Sequence, residues 1–176
     1  MTSGITTHNS QIPCGIKNKK KMENKPKTWP EYFLQIAETV KLKSKDQRTN
    51  IGAVIVGEDN EIVSTGYNSF PRGINDEVPE RQERPEKYFW MVHGEMNAIL
   101  NAARIGSKTK GCKMYLTCGV PCSNCGRAII NAGITEVYCK VQDTTRNKEK
   151  WEEESSRTKQ MFKESGVKVV FYEDIL

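Results

Sequence analysis

Two short segments, His93-Gly94-Glu95 and Pro121-Cys122-Ser123-Asn124-Cys125, constrain this chain more than any other part of its sequence. Together they supply one imidazole and two thiols, a ligand set that suits Zn²⁺, and a carboxylate beside them. Three protein ligands leave the fourth tetrahedral position open for water, which is typical of a catalytic rather than a structural zinc site. The fold therefore has to bring two distant segments together around one metal ion.

The Cys-x-x-Cys pair has two other interpretations. A thiol redox pair and one half of a structural zinc site show the same spacing. A redox pair does not need His93 or Glu95, and a structural site needs a fourth ligand. The remaining histidine is His8, in a polar segment. The other four cysteines form no second pair of this spacing; they are Cys14, Cys112, Cys118 and Cys139. We therefore favour an open, catalytic metal site.

Both segments lie where the pattern predicts the start of a helix. After His93, apolar residues recur at helical spacing as far as a stop at Gly106. Cys125 lies one turn beyond Cys122 on the same helical face. Because a helix N-terminus is partially positive, it favours thiolates at that end. Glu95, two residues into the first helix, can face the site without binding the metal.

The remaining patterns predict an α/β fold with three layers, α/β/α, around a five-stranded mixed sheet. Short apolar runs predict strands at 51–57, 61–67, 112–117, 134–139 and 167–172. Helical periodicity predicts two further helices, at 30–43 and 149–164. A long polar loop is expected from residue 68 to about residue 87. This order of elements gives a sheet that helices cover on both faces.

Composition bounds the class of protein. With 176 residues, of which 36% are hydrophobic, we expect a single folded domain at 29–176. The net charge of +5 owes much to lysines within residues 1–28. That segment is predicted to be a flexible basic extension, with a nucleic-acid-binding arm as the alternative. No apolar run approaches the roughly 20 residues of a membrane span, and no secretion signal is visible, so we expect a cytoplasmic protein with free thiols.

Several longer segments carry a specific family resemblance. They are SKD at 44–46, IGAVIV at 51–56, STGYNSFPRGIND at 64–76, PEKY at 85–88, HGEMNAILNAA at 93–103, KGCKMYLTCGVPCSNC at 110–125 and AIINAGITEVYC at 128–139. On these segments the chain resembles the deoxycytidylate (dCMP) deaminases of the zinc-dependent cytidine deaminase superfamily. The loop from Thr117 to Cys122 is one residue longer than the common family pattern, so we expect a reshaped wall of the pocket.

The resemblance implies hydrolytic deamination of dCMP to dUMP and ammonia, in support of thymidylate synthesis. It implies one catalytic Zn²⁺ held by His93, Cys122 and Cys125, with Glu95 as the proton carrier. It also implies a homo-oligomer, typically a hexamer, that dCTP with Mg²⁺ activates and dTTP inhibits.

Substrate and effector residues are expected from the same resemblance. Asn68 is expected to bind the deoxyribose, Ser44 and Lys140 to help bind the nucleotide, and Tyr138 to wall the pocket. Arg72 is expected to bind a phosphate, either of the substrate or of an effector. Asn68 and Arg72 have the alternative of being ordinary turn residues, and Tyr138 that of being a core residue.

Two other functions use the same metal site. A polynucleotide-editing deaminase would need a basic, aromatic-rich groove beside the site, and outside residues 1–28 no such groove is evident, so a nucleic-acid partner is disfavoured. A non-catalytic, zinc-binding regulatory module would have no use for Glu95. Both remain alternatives to dCMP deamination at this point.

Overall fold

A five-stranded mixed sheet forms the centre of the molecule in the computed structural model. The structure describes residue 26, residues 28–141 and residues 148–173, except for the side chains of 148–151. The strands are β1 (Gly52–Val56), β2 (Ile62–Tyr67), β3 (Lys113–Leu116), β4 (Glu136–Lys140) and β5 (Lys168–Tyr172). Their spatial order is β2-β1-β3-β4-β5. β1 is antiparallel to β2 and β3, whereas β3, β4 and β5 are parallel. All five predicted strands are present.

Helices cover both faces of this sheet. They are α1 (Trp29–Lys41), α2 (Lys87–Trp90), α3 (Gly94–Ile105), α4 (Ser123–Asn131) and α5 (Lys148–Ser165). α1 packs on one face through Phe33 and Leu34. The other face packs against α3, α4 and α5, through Ala98, Ile129 and Phe162. The predicted three-layer α/β/α fold is confirmed. None of the helices in the described ranges is long and apolar enough to cross a membrane.

The first helix starts one residue after the end of the predicted basic extension. The Thr28 hydroxyl accepts from the Glu31 backbone N–H, and the Glu31 carboxylate accepts from the Thr28 N–H, which together form a capping box. Thr28 therefore belongs to the folded part. The rest of the predicted extension, apart from Pro26, lies outside the described residues, so the division into 1–28 and 29–176 stays a prediction.

The polar segment between β2 and α3 is more regular than its sequence predicts. It contains a 3₁₀ helix at Pro79–Gln82 and the single-turn helix α2. Lys87, the first residue of α2, donates from Nζ to Asp46 at 2.7 Å, and both side chains are buried. Sequence periodicity cannot detect a helix of one turn that a tertiary ion pair holds in place.

Close packing of α3 on β2 fixes the start of α3. A Cβ atom on Gly66 of β2 would lie 2.2 Å from both the Ala98 nitrogen and the Gly94 oxygen. Only glycine permits this approach, which places the first turn of α3 against the end of β2. The loop that follows β3 leads directly to α4. Both helix starts therefore meet at one end of the sheet, beside the carboxyl end of β3, where ligands of open α/β sheets commonly bind.

Candidate metal centre

The structure brings His93, Cys122 and Cys125 into one group. His93 Nδ1 lies 3.5 Å from each of the two sulfurs, and the three donor atoms lie within 4.8 Å of one another. With Zn–S of about 2.3 Å and Zn–N of about 2.0 Å, a tetrahedral zinc ion would separate nitrogen from sulfur by about 3.5 Å. The donor set and its spacing therefore fit zinc with three protein ligands.

Helix starts position these ligands. His93 is the N-cap residue of α3 and Cys122 is the N-cap residue of α4, and neither side chain caps its own helix. Both have extended backbone conformations, which turn the side chains away from the helix and toward each other. Cys125 follows in the first turn of α4 and is buried. The predicted helix starts at the two motifs are thus present.

The electrostatics of the group favour metal binding. The pKa of Cys122 is lowered to about 4, chiefly because the Cys125 thiol donates a hydrogen bond to its sulfur, with a further contribution from His93. The hydrogen bond with Cys122 in turn raises the pKa of His93 to about 8. The same Cys122 contact, together with burial, raises the pKa of Cys125. The protons held by Cys125 and His93 are those that a metal ion would displace on binding.

Glu95 lies beside the ligands as a buried carboxylate. Its Oε1 accepts a hydrogen bond from the Cys118 thiol at 3.9 Å, and its Oε2 is buried with no partner among the described residues. Burial raises the pKa of Glu95, and the charge of His93 opposes that shift. A buried carboxylate oxygen without a hydrogen-bond partner lowers the stability of the fold. A water at the open metal position would supply the missing partner.

Cys118 is a neighbour of the site that sequence analysis did not single out. It lies in the lengthened loop between Thr117 and Cys122, and burial raises the pKa of its thiol. The extra residue in that loop is the one sequence signal that could have pointed to it.

Ser44 and Asn68 lie together at the other side of the α3 start. The Asn68 side chain is 1% exposed; its Oδ1 accepts from the Gly94 N–H at 2.8 Å, and its Nδ2 donates to the Thr49 carbonyl at 2.9 Å. The Ser44 hydroxyl donates to the Asn68 carbonyl at 3.3 Å and accepts from the Asp46 N–H. Asn68 therefore braces the residue that follows His93.

Tyr138 and Lys140 lie two residues apart on β4, Tyr138 within the strand and Lys140 at its end. Val137 and Cys139 face the core shared with α3 and α4, so the side chain of Tyr138 points to the opposite face of the sheet, where it stacks on Tyr115 at 4.4 Å. This position favours the alternative that Tyr138 is a core residue, because side chains alternate between the two faces of a strand; its part in walling the pocket stays a prediction. Lys140 ends β4, and its backbone N–H donates to the carbonyl of Cys118, in the loop that leads to Cys122.

Arg72 lies away from the metal group, on an exposed loop. Its guanidinium donates to Asn101 Oδ1 at 2.7 Å. The loop lines a cavity of about 240 Å³, together with Asn97 and with Lys45, which pairs with Asp76 at 3.0 Å. The structure thus places Arg72 at a pocket lined by two cations, by the Asp76 carboxylate that pairs with one of them, and by two amide side chains.

Comparison with known proteins identifies the family. The family model described as the cytidine and deoxycytidylate deaminase zinc-binding region matches residues 27–141. The chain belongs to this family. Zinc binding is therefore a family property, and the His93, Cys122 and Cys125 group lies inside the matched range.

Individual relatives agree with the family match. The chain is 41% identical over 143 residues to an "uncharacterized deaminase in luxG 3'region" of Aliivibrio fischeri, which covers 81% of this chain and 92% of the relative. It is 41% identical over 114 residues to the human deoxycytidylate deaminase, and that match spans 62% of each chain. A crystal structure of dCMP deaminase from the cyanophage S-TIM5 in complex with dCMP and dUMP superposes with a TM-score of 0.64 at 23% identity, covering 81% of this chain and 95% of that one. At that identity the structural match supports the fold alone.

Proposed function

We propose that this chain hydrolyses dCMP to dUMP and ammonia. The observation that carries the proposal is the buried, unpaired Glu95 oxygen beside a three-ligand metal group. A structural zinc site would be closed by a fourth protein ligand and would need no such carboxylate. The deoxycytidylate deaminases among the relatives support a cytosine deoxynucleotide as the substrate.

The mechanism follows from the positions of the chain's own groups. His93, Cys122 and Cys125 would hold the zinc ion, which when bound supplies Lewis acidity and lowers the pKa of a bound water toward 7. Glu95 would take one proton from the attacking water with its Oε2 and deliver it to N3 of cytosine, and would then take the second proton from the hydroxyl added at C4 and deliver it to the departing amine. Water adds at C4 and ammonia leaves, so the reaction needs no other reactant. Burial of Glu95 suits this role because a raised pKa brings a carboxylate closer to the working pH.

Substrate recognition is proposed for three side chains near the α3 start and the β4 end. Asn68 would contact the deoxyribose through the second lone pair of Oδ1, since the first accepts from Gly94. Ser44 lies against Asn68, and Lys140 lies at the strand end beside the Cys118 loop. A phosphate dianion needs cationic or amide donors, which makes Lys140 the phosphate candidate of the three.

A side-by-side assay tests the substrate. Turnover of dCMP, dCTP, deoxycytidine and cytidine would be followed by the loss of cytosine absorbance, with the zinc-loaded and the zinc-stripped protein. We expect dCMP to be preferred to deoxycytidine, because a site that pairs a phosphate leaves its cations unpaired when the phosphate is missing. Equal or faster turnover of deoxycytidine or cytidine would overturn dCMP as the substrate.

We also propose that the segment 68–76 forms part of a nucleotide effector site. We propose further that the protein is a homo-oligomer, a hexamer by family resemblance, and that it acts in the cytoplasm. The cavity beside Arg72 supports the effector site, because the Arg72 guanidinium has N–H groups beyond the one given to Asn101 and can meet a phosphate, while Lys45 at the same cavity is paired with Asp76. We expect dCTP with Mg²⁺ to make dCMP saturation hyperbolic, and dTTP to oppose this.

Arg72→Ala tests the effector site. The variant should lose activation by dCTP while it keeps turnover at saturating dCMP. Arg84→Ala is the matched control, because Arg84 belongs to the same polar segment but lies over the Tyr88 ring rather than in the cavity lining. Unchanged activation of Arg72→Ala, with unchanged dCMP affinity, would show that the cavity binds neither nucleotide.

A further inference from the structure

The two metal-binding helices each lack the side-chain cap that a helix start normally has. Helix N-termini expose N–H groups that an N-cap side chain usually satisfies. In α3 and α4 the N-cap residues are His93 and Cys122, whose side chains converge on the metal group instead. The free N–H groups of these two helices therefore need acceptors from elsewhere in the fold.

For α4, the acceptor comes from Glu154 of α5. The Ser123 backbone N–H donates to Glu154 Oε2 at 3.0 Å, and the Ser123 hydroxyl donates to the same oxygen at 2.6 Å. Ser123 directly follows Cys122 and lies two residues before Cys125. A carboxylate at this end also suits the positive end of the helix dipole. Glu154 is thus bonded to the backbone that joins the two sulfur ligands.

A close contact between α4 and α5 delivers this carboxylate. A Cβ atom on Gly126 would lie 2.7 Å from Cγ2 of Thr158, which is fully buried. Gly126 lies about one turn beyond Ser123, and Thr158 lies one turn beyond Glu154, whose carbonyl accepts from the Thr158 hydroxyl at 3.1 Å. The missing side chain at Gly126 sets the separation at which Glu154 reaches the start of α4.

We propose that Glu154 is a positioning residue for the metal centre. It accepts from the first backbone N–H of α4 and holds the Cys122–Cys125 turn in the conformation that presents both sulfurs to one ion. The inference rests on the proposed function only in that this group binds zinc; it does not depend on which cytosine compound is the substrate. Partners that orient metal ligands from outside the ligand set typically change metal affinity or activity by about 10- to 100-fold when they are removed.

Zinc release and cobalt spectra test this role. Glu154→Ala should transfer zinc to a chromogenic chelator about tenfold faster than wild type. In the Co²⁺-substituted protein, the same change should shift the sulfur-to-cobalt and d–d absorption bands, which report ligand geometry. Glu153→Ala is the matched control, since Glu153 is the neighbouring glutamate and pairs on the surface with Arg157. It should match wild type in both measurements.

A second variant removes the contact from the side of α4. Ser123 is the first residue of α4, where proline is tolerated, and Cys122 already has the extended backbone that a following proline requires. Ser123→Pro deletes both donors to Glu154 and should speed zinc release as Glu154→Ala does. In the Ser123→Pro background, Glu154→Ala should add little, because the two changes remove the same contact.

The outcomes separate this inference from the proposed function. Release rates and cobalt spectra of Glu154→Ala and Ser123→Pro that equal those of Glu153→Ala would overturn the positioning role, even if wild type deaminates dCMP. A wild-type protein that binds zinc but deaminates no cytosine compound would overturn the proposed function while the Glu154 difference persists.

Discussion

The starts of α3 and α4 meet the same requirement in two different ways. In each, the N-cap side chain belongs to the metal group, and a side chain from another element satisfies the free backbone amide. α3 uses the neutral amide of Asn68, which is 1% exposed and lies at the end of β2. α4 uses the carboxylate of Glu154, which is half-buried and lies on α5. The family-matched range, residues 27–141, therefore holds the cap of α3 but not that of α4.

The two helix starts also differ in their chemical tasks. The start of α4 holds two of the three proposed ligands and no acid or base. The start of α3 holds the third proposed ligand and the buried Glu95, whose Oε2 has no partner among the described residues. We therefore expect damage at α4 to act through loss of metal, and damage at α3 to be able to stop the reaction with the metal still bound.

The largest effect is expected for Cys125→Ala in α4. Loss of one of three ligands should reduce bound zinc to background and abolish turnover, since the remaining imidazole and thiolate give an incomplete site. Metal analysis and the dCMP assay would be run on the same sample. Cys112→Ala is the control, because Cys112 is a buried free cysteine outside the metal group. Stoichiometric zinc in Cys125→Ala would remove Cys125 from the ligand set.

Glu95→Gln in α3 should show the other behaviour. The amide keeps the size of the side chain but cannot carry the proton, so turnover should fall by about two to four orders of magnitude with zinc retained. Steady-state rates and metal content measured together would check this. Near-normal turnover in the zinc-replete variant would remove Glu95 from the mechanism and would erase the proposed difference between the two helix starts.

Asn68→Ala should destabilise the fold more than Glu154→Ala does. Removal of Asn68 leaves the Gly94 N–H and the Thr49 carbonyl without their partner in a buried position, at a cost of about 1–3 kcal/mol for such a group. Water can replace the half-buried Glu154 more easily. Urea unfolding of the zinc-loaded variants measures both, with Asn75→Ala as an exposed control. An equal loss of stability in Asn68→Ala and Glu154→Ala would show that the buried cap of α3 stabilises the fold no more than the half-buried cap of α4.

Gly126→Ala should have the smallest effect. The added methyl group meets Thr158 Cγ2 at 2.7 Å. Overpacking costs about 1–3 kcal/mol, and the helix propensity of alanine returns about 1 kcal/mol of it. Zinc release should therefore quicken only slightly, as α5 moves away from α4. Adding Thr158→Ser removes the obstructing methyl group and should restore the wild-type release rate; failure of that rescue would show that the contact does not place Glu154.

The metal group was predictable because its residues are chemically distinctive and lie at recognisable helix starts. A histidine and a Cys-x-x-Cys pair, each at a predicted helix start, have few interpretations other than a metal site. The strands were predictable because each is a short apolar run. Glu154 gave no such signal: α5 reads as a charged helix, and one glutamate among several gains its task only from the packing of Thr158 on Gly126.

The face of the sheet on which Tyr138 lies is a second feature that the sequence pattern does not provide. Alternation along β4 is clear from the sequence, but the alternation does not say which face holds the metal group. That depends on the side of the sheet on which α3 and α4 pack, which only the tertiary structure provides. Helix α2 also depends on tertiary structure, because the buried ion pair of Lys87 and Asp46 holds it in place, and the sequence pattern therefore did not predict it.

Zinc K-edge X-ray absorption of the purified zinc protein tests directly whether the metal site is open, with three protein ligands. We expect two sulfur neighbours at about 2.3 Å and two nitrogen or oxygen neighbours at about 2.0 Å, the latter being His93 and a water. The spectrum should be unchanged in Cys118→Ala. A third sulfur, supplied by Cys118 from the lengthened loop, would close the site and would contradict a catalytic metal centre.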